Sequence, residues 1–165
     1  LIFIFLILAA QFESFVDPMI ILLTVPLCIV GAILTLSIFG QSLNIYSKIG
    51  LLTLVGLVTK HGILLVEFAN EKRKSGASAQ EAAISSARSR LRPILMTSLT
   101  MILGSLPLAL ADGPGSLGRI NIGLVLVGGL TAGTFFSLFL VPVAYVGMAN
   151  LKQMDILTRL RTKAA

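Results

Sequence analysis

Four nearly uninterrupted apolar segments, Met19–Phe39, Ile45–Phe68, Pro93–Ala111 and Ile120–Met148, constrain this chain more than any other feature. Each is long enough to cross a bilayer as a helix, which takes roughly 20 residues. Helix is the economical conformation there, because each backbone N–H and C=O must be satisfied within its own segment. A fifth apolar run, Leu1–Ala10, rises only about 15 Å as a helix, half the hydrocarbon thickness. No basic stretch precedes it and no cleavage motif follows, so it reads as a truncated span and not as a signal peptide. The chain is therefore expected to be a piece of a longer one. With 56% hydrophobic and 12% charged residues, the composition excludes a soluble domain, which needs a polar skin. The expected fold is an all-α membrane protein, a bundle of about five transmembrane helices within residues 1–149.

The connections are short. Gln11–Pro18 contains Asp17-Pro18, which predicts a helix start with Asp as N-cap and Pro in the first position. Gly40–Asn44 is a tight polar turn, and DGPGSLG at Asp112–Gly118 is a breaker cluster. Asn70–Arg92 is longer and polar, and its Ala79–Ala87 portion reads as a short helix outside the apolar core. That stretch and the tail at 150–165 hold ten of the thirteen Lys and Arg residues. The positive-inside rule makes both cytoplasmic and the chain multi-pass. The net charge of +6 is thereby a topology signal, with no nucleic-acid partner implied. The lone cysteine, Cys28, forms no internal disulfide and no Cys-based metal cluster. No Walker A, HExxH or Ser-His-Asp pattern is found, so enzyme chemistry has no support and no cofactor is expected.

Lys60 is the most informative residue. It sits near the middle of the third segment, where a lysine costs about 2.5–3.5 kcal/mol on insertion scales. The end of the segment at Phe68 is roughly 12 Å away, too far for the side chain to reach the interface with ease. A carboxylate partner is expected. Glu67 shares its helical face but lies about 10 Å along the axis, so the expected partner lies on a helix outside this chain. A transport role and a structural ion pair are both open. His61 is either a proton-relay member or a hydrogen-bonded packing residue, and Glu67 either an interfacial anchor or an accessory of the relay. Arg90 and Thr97 are seven apart and share a face if the helix continues through Pro93; Met101 and Gly104 extend it, and Ser98 and Ser105 flank it. Such a polar seam suits water or another helix. The alternatives are back-bonding of Thr97 and Ser98 to the helix carbonyls, and anchoring by Arg90 and Arg92. Gly129 and Gly133 form a GxxxG that admits a close helix neighbour. Pro26, Pro107 and Pro142 are candidate kinks.

The stretches GLLTLVGLVTKHGILLVEFANE (Gly50–Glu71), RSRLRPILMTSLT (Arg88–Thr100) and GLVLVGGLTAGTFFSLFLVPVAYV (Gly123–Val146) resemble the C-terminal membrane region of resistance–nodulation–division (RND) efflux permeases. FESFVDP (Phe12–Pro18) and GSLPLAL (Gly104–Leu110) agree in place and order. The resemblance implies a twelve-helix permease, of which this chain is the end of helix 8 through helix 12. It implies a proton antiporter of the multidrug branch in the bacterial inner membrane, powered by the proton gradient and working as a homotrimer. Its implied partners are the N-terminal half of the permease, a periplasmic adaptor, an outer-membrane channel and membrane lipid. Lys60, Arg90 and Thr97 match the family's proton-relay lysine, arginine and threonine, whose partner aspartates lie outside this chain. Asn44 departs from drug pumps that carry an acidic residue there, so no proton-access role is carried to it. Two other readings compete. One is a stand-alone or truncated membrane scaffold or regulatory partner without transport activity. The other is a lipid- or sterol-sensing relative of the same architecture.

Overall fold

The computed structural model describes the backbone of residues 1–163 and the side chains of residues 1–149. The described residues are all-α: α1 (Ile2–Phe12), α2 (Val16–Leu22), α3 (Thr24–Ile38), α4 (Ile45–Lys74), α5 (Ala79–Ala109) and α6 (Ser116–Lys163). Four stretches are long and apolar enough to cross a membrane: Val16–Ile38, Ile45–Lys74, Ala79–Ala109 and Ser116–Ala149. α1 is a shorter apolar helix.

Four boundaries differ from those expected, one of them the start of α6 at Ser116, inside the Asp112–Gly118 breaker cluster. The helix predicted to begin on Asp17 begins at Val16, with Phe15 in the cap position and Asp17 in the first turn. A proline is tolerated anywhere in a first turn, where its missing N–H has no helical partner. Asp17 accepts a hydrogen bond from Asn70 Nδ2 at 2.8 Å instead of capping. The helix is then interrupted at Leu23, because Pro26 supplies no N–H for the Leu22 carbonyl. Finally, the polar stretch Asn70–Arg92 is mostly the ends of two long helices. Its Ala79–Ala87 portion is the start of α5, which runs on through Pro93. Only Ser75–Ser78 is non-helical. Capping explains both sides of this turn. Lys72, Arg73 and Lys74 complement the negative end of α4. Ser78 and Glu81 form a reciprocal capping box, with Glu81 N donating to Ser78 Oγ at 3.2 Å and Ser78 N to Glu81 Oε2 at 3.1 Å. Asn44 caps α4 in the same way, accepting from Ser47 N at 2.9 Å.

α6 is the hub, packed against α3, α4 and α5. Lipid tails are as apolar as side chains, so helix association here relies on close fit. Small residues of α6 provide it. Added Cβ atoms would meet Leu54 at Gly129, and Val58 Cγ2 at 2.8 Å and Cys28 Cβ at 3.0 Å at Gly133. The two glycines thus seat α4 and α3 on one flank of α6. Two apolar clusters result, one around Ile21, Leu65 and Val141, the other around Cys28, Leu54 and Val125. The outward faces of α1 and α5 remain apolar and exposed, including Phe3, Met96, Leu99 and Leu103.

Candidate functional site

α4 and α5 run antiparallel, as their cross-links show: Ser86 Oγ donates to the Leu65 carbonyl at 2.6 Å, and Ser98 Oγ lies 3.4 Å from His61 Nε2. His61 on α4 and Ser98 on α5 therefore face each other, 1% and 2% exposed. The residues preceding them, Lys60 and Thr97, are each turned by about 100°. Seen from one end, the two antiparallel helices wind in opposite senses, so these two turns carry Lys60 and Thr97 to the same side of the pair. Both are exposed there.

The same periodicity extends the face. Glu67 lies two turns beyond Lys60 and is exposed. Because α5 continues through Pro93, Arg90, Thr97 and Gly104 align at intervals of seven. The Arg90 guanidinium carbon lies 4.9 Å from the Phe68 ring centroid, and its Nε is buried without a hydrogen-bond partner. Thr97 Oγ1 is 3.0 Å from both the Pro93 and Ile94 carbonyl oxygens, so back-bonding occupies its hydroxyl here. A Cβ added at Gly56 or Gly104 would meet nothing within 4 Å. The face is a shallow, small-residue surface with one cation at mid-span and another toward the Ser75–Ser78 end.

On the opposite side of the pair α6 contributes Thr134, 6% exposed, whose hydroxyl donates to Ser98 Oγ at 2.9 Å. Sequence reasoning missed Thr134. Its only signal was a hydroxyl in an otherwise apolar stretch, three residues from Thr131, whose own hydroxyl merely back-bonds to Val127. A second missed network lies near the Ser75–Ser78 end. Tyr145 Oη donates to Asn70 Oδ1 at 2.6 Å and Asn70 Nδ2 donates to Asp17, tying α6, α4 and α2 together. It borders a cavity of about 600 Å³ lined by both signs of charge, including Glu67, Glu71, Arg73 and Lys74. Among the described residues no group of three His, Cys, Asp or Glu side chains could hold a metal ion.

A helical bundle with four helices long and apolar enough to cross a membrane is the architecture of a polytopic membrane protein. The chain belongs to the AcrB/AcrD/AcrF family, whose family model matches residues 1–149. It is 51% identical over 156 residues to an uncharacterized transporter of Haemophilus influenzae, covering 90% of this chain and 15% of that protein. It is 45% identical over 149 residues to the toluene efflux pump membrane transporter TtgB of Pseudomonas putida, covering 90% and 14%. Over 144 residues it is 46% identical to the multidrug export protein AcrF of Escherichia coli, covering 87% and 14%. The chain spans about one-seventh of the length of these relatives. The RND resemblance is thus established.

Proposed function

We propose that this chain is the C-terminal membrane section of a proton-driven efflux permease and that its open α4–α5 face carries one side of the proton path. The observation that supports this reading above all is the exposure of Lys60 at mid-span beside Thr97, on the side of the helix pair away from Thr134 of α6. A charge at that depth calls for a carboxylate, and the natural donor is the N-terminal half of the same permease. Protonation of that carboxylate would remove the attraction that holds Lys60. Thr97 would then exchange its backbone carbonyls for the carboxylate, and Arg90 would supply positive potential at the other end of the face. A charge switch of this kind biases helix positions and couples proton entry to a distant export cycle. The relatives' names point to solvents and drugs as the substrate class, and the RND resemblance implies a homotrimer with a periplasmic adaptor and an outer-membrane channel as the working assembly. The Ser75–Ser78 turn would face the cytoplasm, with the C-terminal end of the chain, in the bacterial inner membrane.

The test is Lys60→Met in the complete permease, reading proton-coupled drug export with expression and assembly checked alongside. Loss of export by an intact trimer is expected. Unchanged export would reduce Lys60 to a structural charge.

A further inference from the structure

We infer that His61 and Ser98, closed by Thr134, are positioning residues: a buried polar node behind the open face that sets the rotation of α4 against α5 and so aims Lys60 and Thr97. The inference rests on the proton-path reading above.

The hydrogen-bond inventory at the node is tight. A serine hydroxyl has one proton and two lone pairs. The Ser98 proton goes to the Ile94 carbonyl, 2.8 Å away. One lone pair accepts from Thr134 Oγ1 at 2.9 Å. The other faces His61 Nε2 at 3.4 Å, the long end of a hydrogen bond. With the Ser98 proton used elsewhere, Nε2 must carry the N–H and donate. Nδ1 is then a bare lone pair, in keeping with its having no partner in its buried position. The tautomer follows from the network. Three helices thereby meet at one hydroxyl: α4 through His61, α5 through Ser98 and α6 through Thr134.

Within this layer the node is the hydrogen-bonded link between α4 and α5, beside the close Gly133 contacts that seat α6 on α4 and α3. No titratable side chain lies on α5 between Pro93 and Ala109 or on α6 between Ile120 and Ala144. On α2 and α3 the titratable groups are Asp17, bound to Asn70, and Cys28, beside Gly133. On α4, Lys60 adjoins His61 and turns the other way. The lever is short and direct. A side-chain group about 6 Å from a helix axis moves roughly 2 Å when the helix rotates by about 20°. That displacement separates a contact ion pair, so loss of the node should change how tightly Lys60 holds its carboxylate and hence the pH at which the carboxylate takes a proton.

The test uses the complete permease in proteoliposomes, measuring the pH dependence of export together with KM and kcat for a drug substrate. His61→Leu and Thr134→Val should each move the half-maximal pH by about half a unit or more, equivalent to a roughly threefold change in proton affinity. Both should lower kcat with KM unchanged. His61→Gln, whose side-chain amide can place an N–H where Nε2 sits but cannot titrate, should restore the profile. An unshifted midpoint in folded His61→Leu would overturn the inference, and so would failure of His61→Gln to rescue, which would make titration the role of His61. If His61→Leu does not assemble, Thr134→Val decides on the same criterion, since it leaves His61 in place. Lys60→Met is run in parallel. If it exports normally, the proton-path reading falls. If it is inactive while the node variants keep the wild-type midpoint, only the positioning role falls.

Discussion

Two glycine-to-alanine substitutions in this chain should have opposite effects. At Gly123 of α6 an added Cβ would lie 2.7 Å from both Ala109 Cα and the Leu108 carbonyl carbon, where ordinary contacts are 3.4–4 Å. These are main-chain atoms and cannot rotate aside, so α5 and α6 must separate. Overpacking of this kind costs about 1–3 kcal/mol. Removing a helical glycine returns about 0.5–1 kcal/mol of backbone entropy, leaving Gly123→Ala destabilising by about 1–2 kcal/mol. At Gly104 of α5 the same methyl meets nothing within 4 Å, so Gly104→Ala keeps the whole entropic gain. The variants should differ by about 2–3 kcal/mol, or roughly 30- to 150-fold in the population of opened molecules. Cys28 reports that population, being the only cysteine and 0% exposed. Maleimide labelling of the chain in detergent micelles should be faster than wild type for Gly123→Ala and slower for Gly104→Ala. Equal rates, or the reverse order, would refute the packing argument.

Further outcomes follow from single contacts. Asn44→Ala should cost about 1 kcal/mol and speed hydrogen exchange over residues 45–47, while Asn44→Asp keeps the cap. Asn70→Ala strips Tyr145 of its acceptor and Asp17 of its donor, and should destabilise by about 1–3 kcal/mol in thermal unfolding. Gly56→Leu should be silent in the isolated chain, yet reduce export by the complete permease, because the N-terminal half would meet the new side chain. A cysteine at Ser75 should label only from the cytoplasmic side and one at Pro114 only from the other; the reverse would invert the proposed topology.

The membrane class, the long spans and the start of α4 were legible in the sequence because each rests on a local rule. Apolar length gives the span, and the polar turn Gly40–Asn44 marks the start, whereas the end at Lys74 lies beyond Phe68, where the apolar run stops. The continuous α5 was not legible. A proline after a polar run reads locally as a boundary, whereas in the fold α5 passes through Pro93 with the proline ring exposed. The partition of α5 into an outer helix and a span failed for that reason. The candidate face was half legible. Spacing aligned Arg90 with Thr97 along one helix, but no spacing rule connects Lys60 with Thr97 across two.

The sequence alone determined that this chain is embedded in a membrane, that Lys60 falls near the middle of a span, and which family it resembles, since these depend on composition, position along an apolar run and local motif. The tertiary structure decided which residues meet. Thr134 reaches Ser98 across 36 positions, and Tyr145 reaches Asn70 across 75. Those pairings follow from the rotation and crossing of whole helices, set by close contacts along α6 such as Gly133 against Val58 and Cys28. A hydroxyl in an apolar run carries no mark of its distant partner, so only the packed bundle separates the back-bonded Thr97 and Thr131 from the hydroxyl of Thr134 that joins helices.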